Sequence, residues 1–360
     1  MHLGIDVREA CAEKRTGKGQ WTYGFVSELL SRDIDLTLYS DAPLPREWSS
    51  RITSCHHLEQ IERKGVQWHI TAARMIASSS VDAYVSTVSY IVPALLQRTK
   101  PMIPIVHDLI AFRHEPHDRM AVFIEKLTLK RAAEHAAMIC TVSETTKRDL
   151  LVRYPRLDAS KVIPIFAGPM AHPLPHEKRT HENIVLCIGT LCPRKNQLRL
   201  IDAYSLLPQD LRDRFRLVLV GKRGWHDSDI VSRAQATPGV EWRDYLPDHE
   251  VEELMRAAAV FAFPSLYEGF GMPVLDAFLR GIPVLTSAVG SMKEIAGDAA
   301  LLVDPSDTGA IARGLETLLT DAPVRSALIE NGRMRAPEFS WKKTVDRFLE
   351  GAESLTKSGR

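Results

Sequence analysis

The chain has 360 residues, a length at which two domains of about 150–200 residues each are expected. Hydrophobic residues make up 45% and charged residues 25%, which is typical of globular proteins and excludes a disordered chain or a fibrous repeat. The 46 Lys and Arg residues almost cancel the 45 Asp and Glu residues, so the net charge of +1 predicts no nucleic-acid partner.

The cysteines and the apolar segments bear on cellular location. Five scattered cysteines, an odd number, argue against a disulfide framework and indicate a reducing cytoplasm. No segment reaches the ~18 uninterrupted apolar residues that a membrane-spanning helix needs. We therefore expect a soluble, cytoplasmic protein.

The predicted elements alternate between strand and helix from the first residues onward. An apolar run at residues 2–7 is followed by a glycine-containing loop at 16–19 and a helical pattern at 20–30. Further apolar runs of strand length, each ending in a polar or glycine turn, are DAYVSTV, IPIVHD, AAMICTVS, NIVLCIG, RLVLVG, VFAFPS and IPVLTS. Such runs are typical of parallel strands buried on both faces, so we expect an α/β fold.

A break in this pattern predicts the domain boundary. Residues 166–183 concentrate Pro, Gly and His without periodicity, as an interdomain linker does, so we expect domains at 1–170 and 171–339. The last segment should form a helix capped by Ser340. Its apolar residues at helical spacing are Trp341, Val345, Phe348 and Leu349.

Arg194 and Lys195 lie in the motif GTLCPRKN, between the strand NIVLCIG and a helical pattern at residues 197–207. Ligands of doubly wound sheets bind beyond the carboxyl ends of the strands, where both cations are therefore expected. An Arg fork beside a Lys point charge suits a diphosphate. The alternative is a solvated pair of surface charges.

Glu268 and Asp276 lie in PSLYEGFGMPVLDAFLRG with seven residues between them. Pro273 is favourable at the start of a helix, so Glu268 is expected in the preceding loop and Asp276 in the first helical turn. The two carboxylates could then flank one ligand, with the amides of the helix start between them. The alternative is a loop charge and a helix-dipole residue.

Taken in order, the motifs resemble the retaining nucleotide-sugar glycosyltransferases of family 4. They are the glycine loop, HD, VSETTK, GTLCPRKN, PSLYEGFGMPVLDA and GSMKEIAGDAALLVDP, and they span nearly the whole chain. The resemblance implies the GT-B fold, with two Rossmann-like domains whose parallel sheets face each other across a cleft. The first domain would bind the acceptor and the second the donor, and residues 340–360 would cross back to join the first.

The resemblance also implies the site residues. Arg194 and Lys195 would hold the donor diphosphate, while Glu268 would contact the donor sugar as the first carboxylate of the family's E-x7-E pattern. His107 would contact that sugar near the reacting carbon, although a His at a strand end is also consistent with a structural role. These four are the predicted catalytic residues.

A second group is assigned to nucleotide-sugar binding: Gly17, Gly19, Phe270, Gly271, Met272 and Asp276. The two N-terminal glycines would let backbone amides approach the diphosphate, unless their loop serves only as a turn. The amides of 270–272 would approach sugar and phosphate. Asp276 stands where the family usually has the Glu that binds the ribose hydroxyls.

The implied activity is that of a retaining, metal-independent hexosyltransferase without a cofactor. The best match is transfer of mannose from GDP-mannose to a glycan or lipid-linked acceptor in lipopolysaccharide or other cell-surface polysaccharide synthesis. The alternatives are a UDP-sugar-dependent transferase, a sugar-nucleotide epimerase, a phosphorylase, or a non-catalytic sugar-nucleotide-binding subunit.

Three other patterns carry weaker expectations. The spacing of His107, Asp108, His114 and His117 matches no standard metal site, so no metal is expected. Ser143, and Ser291 with Glu294, are interpreted as helix caps. Basic residues with apolar neighbours predict peripheral contact with the inner face of the membrane, the alternative being a solvated face. They are Lys126, Lys130, Arg131, Lys147 and Arg148.

Overall fold

A computed structural model describes residues 1–97, 99–113, 119–170 and 183–358. Two compact units divide the chain, one formed by Met1–Met170 with Ser340–Arg360 and the other by Ala171–Phe339. The strands are β1 His2–Asp6, β2 Asp35–Ser40, β3 His56–Gln60, β4 Ala83–Ser86, β5 Met102–Val106, β6 Ile139–Thr141, β7 Val162–Pro164, β8 Ile184–Ile188, β9 Arg216–Val220, β10 Val240–Arg243, β11 Ala258–Phe263, β12 Val284–Ser287 and β13 Leu301–Val303.

The α-helices are likewise numbered in chain order. They are α1 Arg8–Cys11, α2 Gly17–Leu29, α3 Gly65–Ser78, α4 Ile91–Leu96, α5 Arg119–His135, α6 Glu144–Arg153, α7 Gln197–Ser205, α8 Gln209–Arg214, α9 Ser228–Ala236, α10 Asp248–Ala257, α11 Met272–Leu279, α12 Gly290–Ala296, α13 Thr308–Thr320, α14 Ala322–Arg335 and α15 Trp341–Ser358. Among the described residues, no helix combines the length and the apolar character needed to cross a membrane.

Each unit is built on one parallel sheet. The first has seven strands in the order β3-β2-β1-β4-β5-β6-β7, and the second has six in the order β10-β9-β8-β11-β12-β13. The inner strands are almost fully buried, as their continuous apolar runs predict. The expected α/β fold with two parallel sheets is confirmed.

In both sheets the strand order reverses beside the first strand of the unit. In the first unit β1 pairs with β2 on one side and β4 on the other. In the second unit β8 pairs with β9 and β11. The loops that leave the strands on the two sides of such a point diverge, which leaves a crevice for ligands at the carboxyl ends of the strands.

Sequence reasoning missed five strands, β2, β3, β7, β10 and β13. All but β2 lie at the edges of their sheets. Edge strands are short or partly solvated, so they lack the long apolar run that identifies an inner strand; β7 and β13 have three residues each, and four of the five residues in β3 are exposed.

The last helix, α15, packs on α2 of the first unit. Ser340 caps it by accepting from the amide of Lys343 at 3.2 Å, as expected. The Phe348 ring is buried and meets the Phe25 ring edge to face at 5.1 Å between centroids. Trp341 Nε1 donates to the carbonyl of Pro169 at 2.8 Å. The C-terminal helix thus contributes to the core of a unit formed mainly by the first 170 residues.

Candidate active site

The loop between β8 and α7 carries the two predicted cations on a 3-10 turn, Pro193–Lys195. The next residue, Asn196, has a φ of 62°, a left-handed conformation that Asn tolerates better than most residues. Its Nδ2 donates to the carbonyls of Pro264 and Pro305 at 2.9 and 2.7 Å. The turn is therefore tied to the segments that follow β11 and β13 at the same sheet edge.

Glu268 lies between the two cations. Its carboxylate oxygens are 2.6 Å from Arg194 Nη1 and 2.6 Å from Lys195 Nζ. Arg194 Nη1 also donates to the carbonyl of Tyr267 at 2.7 Å. The three charged side chains are only 10–16% exposed. The structure thus joins three of the predicted catalytic residues into one buried cluster.

The charges of this cluster fix its protonation. Burial opposes ionisation of Glu268, but the charges and hydrogen bonds of Arg194 and Lys195 outweigh it, so the pKa of the carboxyl lies below its ordinary value. Two cations and one carboxylate leave one positive charge at the carboxyl edge of the sheet. Such a cluster is suited to an anionic ligand.

The loop from 264 to 271 depends on a glycine. Gly271 has a φ of 123°, a backbone conformation that residues with a side chain rarely adopt, and a Cβ there would also displace the flexible end of Met292, whose Cε would lie 2.2 Å away. The side chains of Phe270 and Met272 are 6% and 8% exposed. Residues 270–272 therefore have mainly backbone groups to offer a ligand, and their role in donor binding stays a prediction.

Ser291 supports this loop from α12, a contact that sequence reasoning missed. Its Oγ donates to the Glu268 carbonyl at 2.7 Å. The interpretation of Ser291 as a helix cap is wrong, because α12 begins at Gly290 after Val289 and Ser291 lies inside it. By contrast, Ser143 does cap α6, accepting from the amide of Thr146. The S-x-x-E spacing alone did not distinguish a cap from a residue two positions further along.

Asp276 occupies the second turn of α11, because the helix begins at Met272. The expectation of a first-turn position is therefore wrong, and a helix-dipole role loses its basis. The side chain is buried, with its Oδ1 3.7 Å from Nη1 of Arg280, which also pairs with Glu252. Sequence reasoning did not include this partner, and the ribose role stays a prediction.

The two N-terminal glycines lie in the first turn of α2, where a loop was expected. The helix begins at Gly17 because Thr16 caps it by accepting from the amide of Gly19. A Cβ at Gly19 would lie 2.6 Å from the Glu9 carbonyl oxygen, whereas a Cβ at Gly17 would meet nothing within 4 Å. Packing against α1 accounts for Gly19 and leaves Gly17 as the more accessible of the two.

His107 follows β5 directly and is 6% exposed. Its Nε2 is 2.6 Å from the carbonyl of Thr87, which can only accept, so Nε2 carries the proton. Burial, reinforced by the charge of Lys18, lowers the pKa of this imidazole to about 4. The ring is neutral near pH 7, with Nδ1 as its hydrogen-bond acceptor.

Lys18 joins this region as a residue that sequence reasoning overlooked. Its Nζ lies 3.5 Å from Asp108 Oδ2, so α2 and the segment after β5 are linked by an ion pair. The signal was present in the sequence, as a Lys between the two glycines of the loop and an Asp after the His.

Metal ligation has no visible basis in the residues that the structure describes. They contain no group of three or more His, Cys, Asp or Glu side chains placed to hold an ion. His114 and His117 lie outside the described residues.

Comparison with known proteins identifies relatives over much of the chain. The family model described as glycosyl transferases group 1 matches residues 172–335. The O-antigen chain mannosyltransferase B of Escherichia coli is 34% identical over 277 residues, which are 72% of this chain and 72% of that protein. The serotype-specific mannosyltransferase WbdA of Escherichia coli is 32% identical over 184 residues, half of this chain but only 23% of WbdA.

Solved structures show the same fold at low identity. The Anabaena protein Alr3699/HepE in complex with UDP and glucose aligns with a TM-score of 0.79 at 16% identity, over 98% of this chain and 100% of that one. WaaG, a glycosyltransferase involved in lipopolysaccharide biosynthesis, aligns with a TM-score of 0.73 at 17% identity, over 96% and 98% of the two chains. The expected GT-B fold class is confirmed.

Proposed function

The chain belongs to the group 1 glycosyltransferases, and on this premise we propose that it transfers mannose from GDP-mannose, with retention of configuration, to a glycan or lipid-linked acceptor. The observation that carries the proposal is the buried cluster of Arg194, Lys195 and Glu268 at the carboxyl edge of the second sheet. The choice of mannose and of polysaccharide synthesis is supported by the names of the Escherichia coli relatives.

The cation pair acts on the leaving group. As the bond to the sugar breaks, negative charge grows on the nucleotide diphosphate, and Arg194 and Lys195 stabilise it. Glu268 already holds both cations in place, so little reorganisation is needed during the reaction. A fixed pair of cations can also supply the charge that a metal ion provides in other transferases, which is the basis for proposing a metal-independent reaction.

Retention is attributed to internal return. The departing phosphate oxygen takes the proton of the acceptor hydroxyl while that hydroxyl attacks the same face of an oxocarbenium-like sugar. The anomeric bond to phosphate breaks, the bond to the acceptor forms, and the proton leaves with the nucleotide. His107, neutral and held through Nε2, would accept a hydrogen bond from a donor-sugar hydroxyl at Nδ1.

The donor is tested by calorimetry and by transfer assays with GDP-mannose, UDP-glucose and the free nucleotides. We expect tighter binding of GDP than of UDP and transfer from GDP-mannose that survives EDTA. Lys195→Ala should lower transfer by about 100-fold or more, since it removes charge stabilisation of the transition state. The matched control is Arg313→Ala, which removes a cation that is 71% exposed.

Three results would overturn parts of this proposal. Transfer from a UDP-sugar but not from GDP-mannose would mean that the donor is a UDP-sugar, in line with the neighbouring structure that contains UDP. Loss of activity in EDTA with rescue by Mn²⁺ would contradict metal independence. Nucleotide-sugar binding without any transfer or hydrolysis would favour a non-catalytic subunit.

We propose that the protein contacts a membrane surface, where a lipid-linked acceptor would lie. On α5 the exposed apolar residues Met120, Phe123 and Leu127 recur at helical spacing, with 64%, 62% and 45% exposure. Lys126 and Lys130 are exposed on the same helix. An apolar stripe flanked by cations is the pattern of a helix that lies on an anionic lipid surface.

A further inference from the structure

The first unit contains a cavity whose lining includes none of the predicted site residues. It has a volume of about 390 Å³ and lies at the carboxyl ends of β1, β2 and β4. This is where the strand order of the sheet reverses, the place at which open α/β sheets bind ligands. The volume falls within the range of about 300–1,000 Å³ found for small-molecule sites.

An ion pair with fixed geometry forms one wall. Asp6, which ends β1 and is buried, accepts from Arg8 Nε at 3.0 Å and from Arg8 Nη2 at 2.8 Å. The guanidinium also stacks 3.5 Å above the Trp68 ring. This arrangement immobilises Arg8 and uses two of its five N–H groups, so both hydrogens of Nη1 and the second hydrogen of Nη2 are left to donate.

His69 lines the same cavity from α3 and is 7% exposed. Within the described structure its Nδ1 is buried and has no hydrogen-bond partner. Buried polar atoms are normally paired, so this one points to a ligand or an ordered water. Burial and the charge of Arg8 lower the pKa of His69 to about 4, which makes it a neutral hydrogen-bonding group near pH 7.

The charges of the lining residues decide which ligand fits. Asp6 and Arg8 cancel, whereas Glu9 and Asp41, both half-buried, leave two negative charges. A phosphate or carboxylate would be repelled. A metal ion does not fit either, because the acidic groups of the described structure form no ligand cluster. Carboxylates are strong acceptors, so the two excess charges favour a ligand with many hydrogen-bond donors, such as the hydroxyl groups of an uncharged sugar.

We infer that this cavity binds an uncharged pyranose unit of the acceptor glycan. Hydroxyl groups of the sugar donate to Glu9 and Asp41, and Arg8 Nη1 donates to a sugar oxygen. His69 adds one further hydrogen bond. The identification of the sugar as part of an acceptor rests on the proposed glycosyltransferase function. The cavity and the charges of its lining residues do not depend on that function.

Direct binding without donor tests the inference on the full chain. Saturation-transfer NMR is recorded with the methyl pyranosides of mannose, glucose, galactose and N-acetylglucosamine, and with mannose 6-phosphate. We expect at least one methyl pyranoside, but not mannose 6-phosphate, to bind the wild type. Glu9→Gln and Asp41→Asn should each weaken that binding about tenfold, as loss of a charged hydrogen bond does. Glu13→Gln, an exposed control in the same segment, should change nothing.

A charge reversal keeps the test informative if the conservative variants lose stability. The double variant Glu9→Gln/Asp41→Lys, whose lining carries one net positive charge, should bind mannose 6-phosphate, whereas the control Glu13→Lys should not. A damaged fold would not gain a ligand, so this gain reports on the cavity itself. Absence of any methyl pyranoside binding in the wild type, or equal binding by all variants, overturns the inference.

GDP and GDP-mannose binding measured on the same samples separates the two proposals. The cavity variants should keep the nucleotide affinity of the wild type. Wild-type protein that binds no nucleotide sugar would contradict the proposed function. Pyranoside binding that is unchanged in the Glu9 and Asp41 variants would contradict only the assignment of the sugar to this cavity.

Discussion

Glu268 shows how one residue can govern an anion site. Its carboxylate lies 2.6 Å from both Arg194 and Lys195, so a bound diphosphate would share the two cations with it. An Arg fork has five donors and a Lys ammonium three, which is enough for both partners. The Ser291 hydroxyl holds the Glu268 backbone at 2.7 Å. The two cations thus keep the carboxylate ionised, whereas Ser291 holds the backbone that positions it.

A substitution of Asp276 tests whether this side chain binds the ribose of the donor. If its carboxylate accepts the ribose hydroxyls, Asp276→Asn should weaken GDP and GDP-mannose alike by about 10–100-fold, the effect of lost charged hydrogen bonds. The turnover number should fall less, because ribose contacts do not change during transfer. Calorimetry and steady-state kinetics measure the two effects.

Glu252→Gln is the matched control for this variant. Glu252 also pairs with Arg280, the partner of Asp276, but no ribose role is proposed for it. It should lower the melting temperature and leave nucleotide affinity unchanged. If Asp276→Asn behaves in the same way, the carboxylate is structural and the ribose assignment is wrong.

At the scale of the elements, the helix α15 supplies buried side chains to the core of the first unit. Phe348 is fully buried and packs edge to face on Phe25, while Asp346 pairs with Arg32 at 2.8 Å. The helix lies in the same compact unit as the first 170 residues, although 169 residues of the other unit separate them in the chain. Folding of the first unit therefore needs the end of the chain.

Phe348→Ala should lower the free energy of unfolding by about 3–5 kcal/mol, because the substitution leaves a cavity in the core. Urea denaturation followed by Trp fluorescence measures it, since Trp21 and Trp341 lie in this unit. Glu350→Ala, exposed on the same helix, should change stability by less than about 0.5 kcal/mol. Deletion of 340–360 with unchanged melting would refute this role of α15.

At the scale of the whole molecule, the net charge of +1 is too small to attract it to a membrane by itself. Any membrane binding must come from a local surface, and α5 provides one with Met120, Phe123 and Leu127 next to exposed cations. Interfacial binding combines buried apolar area with attraction to anionic lipid, so it should depend on both salt and lipid charge.

We expect the protein to sediment with phosphatidylglycerol vesicles at low salt and to be released by about 0.5 M NaCl, where the Debye length falls to a few Å. Phe123→Ser should weaken binding at least threefold, whereas Val66→Ser, at a residue 64% exposed on α3, should not. Equal binding to neutral vesicles, or none to anionic ones, would favour a solvated face for the α5 cations.

The sequence by itself determined the fold class and most of the inner strands. A run such as IVLCIG reads as a strand without any knowledge of its neighbours, because burial on both faces requires every residue to be apolar. The motifs around Arg194 and Glu268 were also visible, since each lies within one short segment. Edge strands such as β3 were not, because solvent on one side removes that signal.

Only the tertiary structure decided which of these segments meet. The contact of Glu268 with both cations, the bond from Ser291 to the Glu268 carbonyl and the pairing of Asp276 with Arg280 depend on strand order and helix phase. A one-residue error in the start of α11 or α12 moves a side chain by about 100° around the helix axis.

The cavity of the first unit depends even more on contacts between residues that are distant in the sequence. Asp6, Asp41 and His69 come from two strand ends and a helix, and no local pattern brings them together.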